Sequence, residues 1–351
     1  MDRRIPPVIV AVLIIGLVTA VFVVAANPEP QSTNPSLPPT GTTHPTAPPP
    51  EWSQYNTTGS PATNASMMAF LPTSNELLLV DSGGGCTSSS TWALTGTTWQ
   101  NLTTQVGPGP KPARAFGGMA YDSDDGYMVL FGGASPCGTY NDTWEFANNA
   151  WSRVATTSAP PPLYGFAMTY DASDGYVLLT GGCCIAGRDS NQTWAFVHGA
   201  WTNLTAGPSP VVDRYGAMAY DAALTDVVYV DGYSSGFVSQ ATWVFHAGNW
   251  TRLYPIVSPS NRAGMGLVYD AALSKVVLVG GYAKVTTGVW INLTDTWTYG
   301  GGPWDNLTAG LDTSPPFVSG AALMTYDPGI QRIVLFLGHD QTWVFGSTAL
   351  L

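Results

Sequence analysis

The 351 residues carry a net charge of −11, with 12 Lys and Arg against 23 Asp and Glu. No basic stripe interrupts that balance, which excludes the phosphate-neutralising surface that a nucleic-acid partner requires. Glycine, tryptophan and tyrosine are abundant and helical periodicity is nearly absent, which points to an all-β fold.

The first element is an apolar run of 22 residues, Ile5 to Ala26, without a charged side chain. At about 1.5 Å per residue it is long enough to cross a hydrocarbon core of roughly 30 Å. Arg3 and Arg4 precede it, and the next Lys or Arg is Lys111. The positive-inside rule then keeps residues 1–4 as a cytoplasmic tip and exports the chain beyond residues 5–26. The run exceeds the ~7–15 apolar residues of a cleaved signal peptide, so a transmembrane signal anchor is expected. Residues 27–50, rich in proline and threonine, read as an extended, solvated stalk. The expected location is the cell membrane, single-pass, with residues 51–351 on the extracytoplasmic side.

Residues 51–351 repeat. A Tyr-Asp pair recurs at Tyr121, Tyr170, Tyr220, Tyr269 and Tyr326, and Phe70 fits the same frame. A glycine pair or its remnant comes next, at Gly132-Gly133, Gly181-Gly182, Asp231-Gly232, Gly280-Gly281 and Leu337-Gly338. Then come Trp92, Trp144, Trp194, Trp243, Trp297 and Trp343, and seven residues after the first five of these a second Trp: Trp99, Trp151, Trp201, Trp250 and Trp304. Each copy reads as four short strands, with small residues in the first and a tight turn such as Asp122–Gly126 between the first two. Four-stranded units repeated around an axis make a β-propeller. The last copy lacks a second Trp, whereas Trp52 has no first Trp before it. Residues 51–56 are therefore expected to supply the outermost strand of the sixth blade and close the ring.

Tyr121-Asp122, residues 129–133 (VLFGG), Asn141-Asp142-Thr143-Trp144 and Trp151 together resemble the kelch repeat, and the resemblance covers nearly all of residues 51–351. It departs from the family pattern where each copy lacks the His of the first strand and where copies one, four and six have degraded glycine pairs. The resemblance implies a six-bladed kelch-type propeller, like the propeller of galactose oxidase, and carries fold far more than function.

Loops entering the first strand and leaving the second share one face of such a ring. The entering loops end near Arg114, Tyr164, Arg214, Tyr215 and Arg262, which are expected to surround the channel mouth and suit an acidic peptide or a carboxylated sugar. The competing reading gives each Arg a structural role, tying blades together through backbone carbonyls or a loop Asp. Cys86, Cys137, Cys183 and Cys184 lie just after the second strands of the first three blades; export favours disulfides, and the pairing stays open. Sequons occur at Asn56, Asn64, Asn101, Asn141, Asn191, Asn203, Asn249, Asn292 and Asn306, consistent with an exported glycoprotein; three of them share one Trp-x-Asn-Leu-Thr unit.

No metal or cofactor is expected. The acidic turn Asp122–Asp125 has oxygens for Ca²⁺ but reads first as a hairpin turn. A copper-radical oxidase site needs two His and two Tyr on the axis, and His198 and His246 fall on the face opposite His339. The expected function is extracytoplasmic binding or adhesion, with an extracellular protein or glycan as partner and the membrane reached through residues 5–26. The alternatives are a carbohydrate-active oxidase or hydrolase on the same propeller and a structural component of the cell envelope.

Overall fold

Each Tyr-Asp pair ends an inner strand and ties the turn beyond it. Asp122 Oδ1 accepts the backbone N–H groups of Asp124 and Asp125 at 3.1 Å. Asp221 and Asp270 take two N–H groups in the same way, and Asp171 and Asp327 take one. The carboxylate thus stands in for a backbone acceptor and fixes the hairpin. In the computed structural model, residues 48–347 are described except 63–65, 84, 186–187, 211–213, 235–236, 287–288 and 317–321. The expected anchor at 5–26, and residues 27–47 of the expected stalk, lie outside the described residues. Among those described, no helix is long and apolar enough to cross a membrane.

Six four-stranded antiparallel sheets form the blades. In blade 2 the strands run, from the axis outward, Gly118–Asp122, Tyr127–Phe131, Thr143–Ala147 and Ala150–Val154. The other inner strands are Ser66–Leu71, Ala167–Asp171, Ala217–Asp221, Gly266–Asp270 and Leu323–Asp327. Each touches the next, and the last touches the first, so the ring is closed. In blade 6 the outermost strand is Glu51–Gln54, paired in register with Thr342–Gly346 as Trp52↔Phe345 and Gln54↔Trp343. The expected closure is present, two residues shorter than the 51–56 read from sequence.

Second strands are buried on both faces, as at Met128–Phe131 and Leu77–Val80. That is why they read as unbroken apolar runs rather than alternating ones. Inner strands are small because the next blade presses on them. A Cβ on Gly118 would lie 2.6 Å from the Phe166 ring and 2.8 Å from Met168 Cβ. The second-type tryptophans fill the outer wedge between blades, from 9 % exposed at Trp151 down to 1 % at Trp52 and Trp304.

Blades 2 to 5 carry more than the four strands expected of them. After the second strand, each raises an extra two-stranded hairpin: Ala134–Ser135 with Gly138–Thr139, Cys183–Ile185 with Arg188–Asp189, Tyr233–Ser234 with Phe237–Val238, and Tyr282–Thr286 with Val289–Asn292. Single bridges pin these hairpins to the entering loops, at Ala115↔Ala134, Tyr164↔Cys183, Arg214↔Tyr233 and Ala263↔Tyr282. They crown one face of the ring.

Candidate functional site on the crowned face

Where the entering loops meet the axis, four equivalent residues adopt left-handed backbone: Phe116, Gly165, Tyr215 and Gly264, with φ between 58° and 67°. Backbone bonds run from blade to blade through them. Gly165 N–H donates to Phe116 O, Tyr215 N–H to Gly165 O, and Gly264 N–H to Tyr215 O, at 2.6–2.8 Å. Two of the four are aromatic in a conformation that favours glycine, and such departures concentrate at functional sites. Their rings meet edge to face at 5.9 Å across the mouth. Gly165 makes room for this, since a Cβ there would stand 3.0 Å from the Tyr215 ring.

A cavity of about 640 Å³ opens on this face, lined by Phe116, Tyr164, Tyr215, Ser82, Ser135 and Pro136 among others. The Cys86–Cys137 disulfide, with Cα atoms 6.0 Å apart, joins the loops of blades 1 and 2 at its edge. Cys183 is disulfide-bonded as well; the side chain of Cys184 lies outside the described part.

The three guanidiniums expected around the mouth part company. Arg114 and Arg262 have fully buried side chains. Each forks onto an aspartate of its own blade, Asp142 and Asp295, and each donates to a backbone carbonyl of the glycine pair, Gly132 or Gly280. Burial pushes both carboxyls up, but the paired guanidinium outweighs it and holds them below the usual carboxylate range. These two arginines are structural, but each braces its own blade rather than tying neighbouring blades together as the competing reading from sequence had it.

Arg214 differs because it stands one residue later. Arg114 and Arg262 lie seven residues before the repeated Tyr, whereas Arg214 lies six before Tyr220. The bridges make it the equivalent of Tyr164, Ala115 and Ala263 instead. A one-residue offset in extended chain turns a side chain to the other face. The side chain of Arg214 is accordingly 26 % exposed. Its Nη1 donates to Tyr164 Oη at 3.0 Å, its Nε lies 3.8 Å from Asp189 Oδ1, and its guanidinium carbon is 5.3 Å from the Tyr233 ring centre. Among the described residues Nε itself has no hydrogen-bond partner. Blade 4 also has Ala241 where Asp142 and Asp295 stand, so the carboxylate that would hold an arginine inside the blade is absent.

Asp189, Tyr233, Tyr282 and Trp290 complete this cluster, and sequence reasoning missed all four because the crown hairpins were unforeseen. Trp290 leans on Tyr233 at 5.7 Å and meets Tyr282 edge-on at 5.4 Å. Burial pushes the Tyr215 phenol up and the Tyr282 phenol up to about 12, so both stay neutral donors at neutral pH.

Other expected sites fall elsewhere. Of the nine sequon asparagines, Asn64 is outside the described residues and the rest are exposed. At Asn101, Asn203 and Asn306 the Asn-Leu-Thr unit is also a latch. Asn203 Oδ1 accepts Thr205 N–H at 2.8 Å, and Thr205 Oγ1 accepts Thr193 N–H at 3.0 Å, with the same bonds in blades 1 and 5. His198 and His246 sit at turns on the uncrowned face, bound to Asp125 and Asp226, while His339 is exposed in a blade 6 loop on the crowned face. Among the described residues no three His, Cys, Asp or Glu side chains group as metal ligands.

No family model matches the chain, and no curated protein is similar to it in sequence. Its shape is shared. The solved structure titled "Structure of YjhT" superposes with a TM-score of 0.61 over 83 % of this chain and 95 % of that one, at 16 % identity. The likeness is one of fold. A β-propeller of this kind is compatible with a binding protein or an enzyme.

Proposed function

We propose that this is a membrane-anchored extracytoplasmic binding protein that takes a carboxylate of an extracellular protein or glycan onto Arg214 at the crowned mouth. One observation carries the reading: of the three arginines beside the mouth, Arg214 alone is not forked onto an aspartate and keeps part of its side chain in solvent. Tyr164, which accepts from Arg214, and the adjacent Tyr215 line a ready cavity, a mostly apolar setting with a few convergent polar groups.

The test compares Arg214→Met with Arg262→Met in the full chain, probed on glycan and surface-protein arrays. A charge-assisted bond of ~1.5–3 kcal/mol corresponds to a loss of roughly ten- to hundredfold in ligand affinity for Arg214→Met at unchanged melting temperature. Arg262→Met should instead lower the melting temperature. Equal ligand capture by Arg214→Met and wild type would reject the reading.

A further inference from the structure

We infer that the ligand is an acidic oligosaccharide, lying from Arg214 across Tyr233 to Trp290, with one pyranose ring stacked on the indole face. This rests on the role of Arg214 proposed above and adds the class of ligand and a second subsite.

The hairpin Tyr282–Thr286 with Val289–Asn292 is the longest of the crown. Cross-strand pairing sets Trp290 opposite Lys284 and Asn292 opposite Tyr282, so these four share one face. That face turns toward Tyr233 of the neighbouring blade, as the 5.7 Å ring contact requires. Trp290 is 43 % exposed although rings brace it on two sides. An indole that is both held and open has lost its rotamer freedom before any ligand arrives, which removes part of the entropic cost of binding. Tyr233 lies between the two subsites, 5.3 Å from the Arg214 guanidinium on one side and 5.7 Å from Trp290 on the other.

The chemistry of the occupant is set by the two ends. Arg214 selects a carboxylate, and Lys284, whose Nζ lies over the Trp290 ring 5.9 Å from its centre, puts a second positive charge beside the indole. An electron-rich aromatic face attracts the polarised C–H bonds on the flat side of a pyranose, as it attracts cations, while the indole N–H and nearby phenols meet hydroxyls. A chain of carboxylated sugars supplies acid and ring together at successive units. An acidic peptide is the competing occupant: it would add as a strand to the outer edge of Val289–Asn292, and the Trp290 face would then count for little.

The experiment uses the full chain in nanodiscs, made in a host that adds no glycans, and calorimetry with galacturonic acid, trigalacturonide and hexaglutamate. Wild type should bind the trisaccharide at least tenfold more tightly than the monosaccharide. Trp290→Ala should erase that gain, Trp290→Phe should keep part of it, and Arg214→Met should abolish binding of both saccharides. If the trisaccharide gain survives in Trp290→Ala, or if hexaglutamate binds as tightly as trigalacturonide, the inference is overturned. Absence of uronide binding also overturns it, and Arg214-dependent capture of hexaglutamate in that case would leave the broader binding reading standing. Uronide binding indifferent to Arg214→Met would instead remove the broader reading, and this inference with it.

Discussion

The indole nitrogen of Trp52 donates to Thr296 Oγ1 at 2.8 Å, joining residues 244 apart in the chain. The same bond links each earlier pair of blades: Trp151 to Thr91, Trp201 to Thr143, Trp250 to Thr193 and Trp304 to Thr242, at 2.8–3.1 Å. Only the closing junction breaks the rule. Trp99 Nε1 is buried with no partner among the described residues, and Thr342 Oγ1 bonds Thr57 Oγ1 instead. There the chain beyond the closing strand laces blades 6 and 1 together, through Tyr55 N–H to Thr342 O, Thr58 N–H to Thr97 O and Trp99 N–H to Thr58 O.

Trp52→Ala should therefore destabilise the ring by about 3–5 kcal/mol in denaturant unfolding, the usual cost of emptying an aromatic site. Phenylalanine substitutions separate the ring from the bond. Trp151→Phe should cost at least ~1–2 kcal/mol more than Trp99→Phe, because only Trp151 has a hydrogen bond to lose. Equal costs would show that the repeated bond contributes nothing.

Gly165→Ala puts a Cβ 3.0 Å from the Tyr215 ring on backbone at φ 65°. We expect a loss of about 1–2 kcal/mol and a displaced Tyr215. Ligand capture should fall with it. The equivalent change at Gly264, where φ is 67°, should carry the same backbone strain and leave capture higher than Gly165→Ala does. Thermal melts of the two variants, with array binding, make the comparison.

Asp231 replaces the first glycine of the pair in blade 4 and is fully buried. Burial pushes its carboxyl up to about 6, against the opposing pull of the Ser239 hydroxyl and Arg252. A raised carboxyl means that the folded chain binds the proton more tightly than the unfolded one. Its destabilising effect is then absent below the unfolded value near ~3.9, grows between there and about 6, and is complete above that. Asp231→Asn should stabilise the fold most above pH ~7, by up to ~3 kcal/mol, with the difference vanishing near pH ~4. Denaturant unfolding across that range reads the effect, and a pH-independent difference would refute it.

The Asn-Leu-Thr latch and the sequon can be told apart in blade 3. Asn203→Asp removes the glycan acceptor but keeps the oxygen that takes Thr205 N–H, so stability should hold. Thr205→Ala removes the oxygen that takes Thr193 N–H and should cost about 1–2 kcal/mol even in unglycosylated protein. Mass spectrometry of protein from a glycosylating host reads the other half of the question.

Much of the ring was legible because its devices recur at fixed intervals. Asp122 and its equivalents announce hairpins by local chemistry, and the unmatched Trp52 announces closure by arithmetic. The site was legible only in part. Tyr164 and Tyr215 were placed near the axis from their loops, but Arg214 was grouped with Arg114 and Arg262 although its distance to the repeated Tyr is one residue shorter. That offset, together with Ala241 in place of an aspartate, was the available signal. Trp290 carried none, since it lies in an insertion that breaks the repeat.

Blade number, strand order and the closing strand thus come from the sequence alone, because period and burial act on every copy alike and average out local exceptions. Which arginine is sealed and which faces solvent belongs to the tertiary structure. A one-residue shift leaves composition and period untouched, yet it decides whether a guanidinium points into a packed blade with a waiting carboxylate or out into the crowned mouth.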